Sequence, residues 1–354
     1  MSTAAAIRLV ATRELRVKLR DKTFLFSTIF FLLFAMLGTV VPALIGSSAS
    51  SVAVASGDPT EAKLRDADLK VRVAADPEQL VRDGDVEAAV LPGPVVVAQD
   101  EAPNDVVRAL SEAPEVRLLN PDAVDPVAAF LVPFAFALVF FFTSLMFGLQ
   151  IAQSVTEEKQ TRMVEILVAA VPVRALLAGK VLAGGVLALA QVALIAFVTV
   201  AGAQLTDGGG GLLPLLAPAM TWFVPFFVFG FVMLAALWAA VGALVNRQED
   251  INGASTPLQL LVMAPFFLVA FLQDNETVMT VMSYVPFSSP TAMPARLFDG
   301  DVAPWEPFVS LAILAVTAVA ALVVGARLYE GGLLRTNGRV SWATAWRDRE
   351  LQHL

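Results

Sequence analysis

Side chains able to do chemistry are scarce in this sequence. Of 354 residues one is histidine, His353, and none is cysteine. That removes disulfides, thiolate metal sites and Cys nucleophiles, together with most zinc chemistry and every triad that needs a histidine. No Gly-x-x-x-x-Gly-Lys-Ser/Thr occurs, so the chain has no phosphate loop of its own; the glycine run at 208–211 follows Asp207, lacks the lysine, and reads as a flexible turn. What remains is one island of charge between two long apolar runs: Glu157, Glu158, Lys159, Arg162 and Glu165, continuing through Arg174 to Gly179 and Lys180. Adjacent carboxylates can activate a water when histidines complete the site. The same residues can instead form a docking face for a soluble partner. They also fit a solvated helix face with i,i+4 pairing such as Glu158 with Arg162.

The elements that carry this island belong to a membrane protein. Hydrophobic residues make up 57% of the chain and charged residues 16%, against about 25% charge in a soluble domain; the mean hydropathy is +0.72. Residues 1–22 place Ile7, Val10, Ala11, Leu15 and Leu19 on one helical face with Arg8, Arg13, Arg16, Lys18, Arg20 and Lys22 interleaved, the pattern of an interfacial helix with its bases toward lipid headgroups. The uncharged run from Phe24 to Ile45 exceeds the roughly 7–15 residues of a signal-peptide core and is long enough to span. Five further spans follow: Ala128 to Ile151, Val181 to Ala203, Leu215 to Val245 with Pro218 and Pro225 bending or beginning it, Thr256 to Leu272 interrupted by Pro265, and Phe308 to Ala326. Between the last two, residues 278–298 are broken by Pro286, Pro290 and Pro294 and read as a re-entrant or interfacial helical hairpin.

Between the first and second spans the composition turns polar and acidic. Residues 71–73 and 86–91 read as strands, and 95–98 as another across the Pro92-Gly93-Pro94 turn. Asp76-Pro77 opens one short helix and Pro103 to Leu110 forms a second, while Gly46 to Ser56, rich in Ser and Ala, reads as a linker. A small α/β domain over 47–127 is the expectation. Charge sets the orientation: segments 1–22, 153–180, 246–255 and 327–354 hold 16 of the 24 Lys/Arg but 10 of the 32 Asp/Glu. The positive-inside rule makes these segments cytoplasmic, with both termini inside and 47–127 outside the cell membrane.

The island's apolar residues Met163, Ile166, Leu167 and Ala170 recur at helical spacing, which predicts one amphipathic helix over about 154–172. Glu157-Glu158-Lys159, Glu165-Ile166-Leu167, Pro172-Val173 and Gly179-Lys180-Val181-Leu182, in this order, resemble the cytosolic signature of ABC-2 type transporter permeases, and most of all their sodium-efflux (NatB-like) branch. Pro286-Phe287-Ser288-Ser289-Pro290 and the tail stretch from Leu328 to Leu334 are similar to the same family. The resemblance implies six transmembrane helices of ABC-2 exporter type, with an α/β extracytoplasmic domain between helices 1 and 2 and a cytosolic tail over 330–354. It implies two paired permease chains, as homodimer or heterodimer, powered by separate ABC ATPase subunits that bind ATP and Mg; this chain would hold no cofactor. Residues 1–22 would be the connecting helix, and Glu157, Glu158, Arg162, Glu165, Arg174, Gly179 and Lys180 would couple the permease to the ATPase. Gln150, Gln153, Gln191, Thr199 and Gln259 are candidates for a substrate pathway, because intramembrane polar groups face the protein interior; helix–helix hydrogen bonding is the favoured account of them. Two other classes stay open. One is a mechanotransmitter that passes ATPase motion to the external domain. The other is an intramembrane CAAX-type protease, whose first motif Glu157-Glu158-x-x-x-Arg162 resembles but whose histidines within the spans are missing here.

Overall fold

The computed structural model describes residues 2–46, 51–67, 69–91, 95–98, 104–110, 126–204, 212–300 and 302–333. The chain forms two compact units, one of Met1–Met36 with Val124–Leu354 and one of Leu37–Ala123. The turns expected at 92–94 and 207–211, the tail from residue 334 and His353 lie outside the described residues.

The chain opens with α1 (Thr3–Lys18) and α2 (Lys22–Gly46). Ser2 caps α1, its side chain accepting from the Ala5 N–H, so an exposed amide at the helix start is satisfied. The smaller unit then runs β1 (Ser51–Ala55), α3 (Thr60–Asp66), β2 (Lys70–Ala74), α4 (Pro77–Arg82), β3 (Ala88–Leu91), β4 (Val95–Ala98) and α5 (Asn104–Leu110). The sheet order is β2-β1-β3-β4, parallel except for β4 against β3. Successive strand residues face opposite sides. Val52, Val54 and Val90 therefore pack with Leu64 and Val106 on one face, and Ala53 and Ala89 with Val81 and Val86 on the other. Asp76 caps α4 through the Gln79 N–H with Pro77 in the first turn.

The linker expected over 46–56 is corrected here: residues 51–55 form the strand at the heart of the sheet, paired on both edges. Small Ser and Ala residues carry little β propensity. A strand covered on both faces also shows no polar alternation, so its sequence looks like a spacer.

The larger unit continues with α6 (Pro126–Gln160), α7 (Met163–Ala170), α8 (Val173–Gln204), α9 (Leu212–Leu244), α10 (Ile251–Leu272), α11 (Glu276–Tyr284), α12 (Ser289–Asp299) and α13 (Glu306–Leu333). Among the described residues, α6, α8, α9, α10 and α13 are long and apolar enough to cross a bilayer. Helix α9 is central, packing against α6, α8, α10, α12 and α13. Phenylalanines interlock along its seam with α6: Phe136 with Phe223, Phe140 with Phe227 and Phe147 with Phe231, ring centroids 4.9, 5.8 and 6.3 Å apart. At the far end of that seam the two backbones touch. A Cβ on Gly242 would lie 2.5 Å from the Ala152 carbonyl oxygen, so no larger residue fits.

Helices α11 and α12 form the proline-broken stretch between α10 and α13. Residues 289–296 of α12 are all buried. Arg296 donates to Ser283 Oγ at 2.8 Å and to Glu306 Oε2 at 2.9 Å, and Tyr284 donates to the same carboxylate at 3.0 Å. This network ties the three helices into one corner and satisfies a charge that burial would otherwise penalise.

Candidate functional site

The charged island is not one helix. α6 carries the membrane-length run straight through Glu157, Glu158, Lys159 and Gln160, and the chain breaks at Arg162, whose φ of 55° is left-handed. This costs a non-glycine residue energy, and the turn closes with the Arg162 N–H donating to the Lys159 carbonyl at 3.2 Å. The continuous helix expected over 154–172 is thus a helix end, a kink and the separate α7. Likewise α8 begins at Val173, so Arg174, Gly179 and Lys180 lie within a long helix.

The helix ends stay ordered because their charges find partners inside. Lys180 Nζ donates to Glu14 Oε1 at 2.8 Å and to Ser154 Oγ at 2.7 Å, and lies 3.0 Å from Glu158 Oε2. Arg13 donates to Glu158 Oε1 at 3.0 Å. Arg13, Glu158, Lys180 and Glu14 thus alternate in sign across α1, α6 and α8, and the last three are buried. One turn further along α1, buried Lys18 donates to Gln150 Oε1 at 3.2 Å. Burial pushes the Lys18 ammonium down to about 8; Glu14 and Asp21 oppose the fall and Lys180 adds to it. Burial alone would raise the Glu14 carboxyl, but the Lys180 ammonium, with smaller help from Lys18 and Arg13, holds it below its ordinary value.

Beside this clamp, Lys159 Nζ donates to the Ala243 carbonyl at 2.7 Å and Thr156 Oγ1 to the Gly242 carbonyl at 3.1 Å. These are carbonyls of the last turn of α9, which lack intrahelical donors and sit at the negative end of the helix dipole. Close packing reinforces the arrangement: a Cβ on Gly179 would lie 2.6 Å from Val10 Cβ. Tyr329 of α13 is buried near the same cluster, within electrostatic reach of Glu158 and Glu14.

These contacts sort the expected coupling residues. Glu158, Gly179 and Lys180 are buried, so they cannot touch a partner; they hold the helix ends. Glu157, Arg162, Glu165 and Arg174 are exposed, and Arg174 reaches across to Glu330 of α13 at 2.8 Å. The expected pairing of Glu158 with Arg162 is replaced by Glu158 with Lys180 and Arg13. The carboxylates of Glu157 and Glu158 do not converge, because one is in solvent and the other is held between two cations. A water-activating pair is therefore not formed. On α7 the buried face is Val164, with Leu167 and Val168 packed against the core, whereas Met163 and Ile166 are 43% and 72% exposed. Met163 and Ile166 thus project with Arg162 and Glu165.

On helix α1 the Val10 and Ala11 face is buried with Ala6, Glu14 and Lys18, and the helix packs on α8. Arg13, Glu14, Lys18, Ser154 and Lys159 were not read as site residues from sequence. The signal was present in Glu14, an acid four residues from Val10 and three from Ala11 on an apolar face, with Lys18 one turn on.

The pathway candidates do not gather into one site. Gln150 accepts from Lys18, Gln153 is exposed, Thr199 donates to its own helix at the Ile195 carbonyl, and Gln259 donates to Ser255 Oγ at 2.8 Å. Gln191 is buried in the bundle.

Comparison with known proteins decides the family. A family model described as ABC-2 family transporter protein matches residues 111–327, which takes in α6 to α12 and nearly all of α13. The chain belongs to this family. With five membrane-length apolar helices among the described residues, this ABC-2 protein is an integral membrane protein of polytopic type. It is 32% identical over 207 residues, 55% of this chain and 49% of the relative, to the uncharacterized protein YhaP of Bacillus subtilis. It is 24% identical over 206 residues, 58% of this chain and 50% of the relative, to the uncharacterized protein MJ1024 of Methanocaldococcus jannaschii. The ABC-2 chain thus spans about half the length of the curated relatives it matches. No solved structure matches.

Proposed function

We propose that this chain is the membrane-spanning permease subunit of an ABC exporter, driven by ATP hydrolysed with Mg in a separate subunit. The observation that carries this reading is α7: a short helix between two membrane-length helices, buried on Val164 and projecting Arg162, Met163, Glu165 and Ile166. An apolar knob flanked by opposite charges suits a groove on a soluble partner. The clamp beneath it joins α1, α6 and α8, so a push on α7 would be delivered to three helices together. On this reading the clamped end is cytoplasmic, α2 supplies a sixth span, the α/β unit is extracytoplasmic and two permease chains pair. That segment order resembles the sodium-efflux (NatB-like) branch. The mechanotransmitter reading uses the same α7 contact and differs only in whether anything crosses the membrane.

The test is co-purification of the permease with a co-expressed ABC ATPase encoded beside it. Ile166→Asp with Glu165→Lys should abolish ATPase recovery while shifting permease stability by no more than about 0.5 kcal/mol per exposed site. Undiminished recovery would overturn the role of α7. Uptake into inverted vesicles separates export from mechanical transmission.

A further inference from the structure

The seam between α6 and α8 has a second polar layer, away from the clamp. Lys180 meets Ser154, and a Cβ on Gly184 would lie 3.1 Å from Ile151 Cδ1. The two helices therefore run antiparallel, and stepping seven residues along each face puts Gln191 opposite Ser144. From α9, the Trp238 indole nitrogen lies against Gly148, one turn along α6 from Ser144. Ser144, Gln191 and Trp238 are 1%, 2% and 0% exposed. Ser144 Oγ, both amide atoms of Gln191 and Trp238 Nε1 have no hydrogen-bond partner among the described residues. Three helices thus carry orphaned polar groups within about one turn of the same level in an otherwise apolar core.

We propose that this layer is a binding site for water, held by Ser144, Gln191 and Trp238. The chemistry fits a neutral ligand that both donates and accepts. Trp238 N–H only donates, Gln191 offers a carbonyl and an amino group, and the Ser144 hydroxyl does both. A water accepting from Trp238 and donating to Gln191 Oε1 and Ser144 Oγ has the two to four partners that buried waters make. No carboxylate or cation sits in the layer, so it offers no counter-charge to an ion. The close helix approach at Gly148 and Gly184 leaves no space for a bulky solute. Gln191 then belongs to the bundle interior and not to a route for cargo, whether or not the chain is a permease.

The test uses the full chain with Trp222, Trp305, Trp342 and Trp346 changed to Phe, leaving Trp238 as the sole indole. In detergent micelles its ring N–H should show cross-relaxation to the water resonance, a measurement that needs no change in the layer. Its fluorescence should shift to the blue in Ser144→Ala and further in Ser144→Ala with Gln191→Met, as the water loses its anchors. Absence of the water cross-peak, with emission unmoved by either substitution, would overturn the proposal and show a dry layer.

Discussion

Lys18 shows how one residue's surroundings set its chemistry. Its ammonium is buried beside Lys180 and Gln150, and its pKa falls to about 8, against about 10.4 in an unfolded chain. Between these values the unfolded chain binds a proton that the native one has lost, so stability rises with pH across this window, and the gain is lost as pH falls from about 10.4 to about 8, below which both states are protonated. A tenfold change in proton affinity is worth about 1.4 kcal/mol, so the full effect is on the order of 3 kcal/mol. Lys18→Met should remove it. Thermal melts of both proteins between pH 7.5 and 10.5 would check this, through a difference that narrows as pH rises. A parallel pair of curves would mean that Lys18 reaches water. The neighbouring Lys180 differs because it faces two carboxylates, Glu14 and Glu158; the same residue type is a cost at one position and a keystone at the other.

At the scale of the element, helices α1 and α8 meet through a glycine. A methyl group on Gly179 would sit 2.6 Å from Val10 Cβ and 3.2 Å from the Ala11 nitrogen, and neither is the tip of a flexible chain. Gly179→Ala should therefore push α1 off α8 and cost about 1–3 kcal/mol, as overpacking does. Gly253, in the first turn of α10, has nothing within 4 Å. Gly253→Ala should be neutral or stabilise by about 0.4–1 kcal/mol through the unfolded chain. Melting the two variants side by side tests the packing argument, because helix propensity alone predicts that both gain stability. Equal gains would show that α1 is free to move away without loss. The kink at Arg162 belongs to this scale too. It lets α6 end in a buried clamp while α7 starts on an exposed face, which a single straight helix could not do.

For the whole molecule the proposed orientation rests on charge. Segments 1–22, 153–180, 246–255 and 327–354 hold 16 of the 24 Lys/Arg, and the positive-inside rule would put them on the cytoplasmic side. The chain has no cysteine, so single-cysteine labelling is clean. With an impermeant reagent on intact cells, Ser56→Cys should label and Ser341→Cys should not; the reverse pattern would invert the topology. A third single cysteine, Thr3→Cys, tests whether α2 crosses, since 1–22 and the α/β unit must lie on opposite sides if it does, and Thr3→Cys should then stay unlabelled.

Much of this architecture was legible along the chain. Unbroken apolar runs announce the long helices because a bilayer requires roughly 20 such residues whatever their neighbours. The proline caps and alternating valines announce β2, β3, β4 and α4 because those signals are local. The absence of a phosphate loop and of cysteine is likewise a property of the sequence by itself. Tertiary structure decided what the charges do. Glu158, Lys159 and Lys180 read as surface residues because charge is normally solvated; only the approach of α1 and α9 supplies their partners Glu14, Arg13 and the Ala243 carbonyl. β1 was hidden for the converse reason, since its small residues become a strand core only once β2 and β3 flank them. Which face of α1 and α7 points inward followed from the same cause. Apolar residues surround much of each helix, and the choice among them depends on the helices they pack against, a long-range fact that no local pattern encodes.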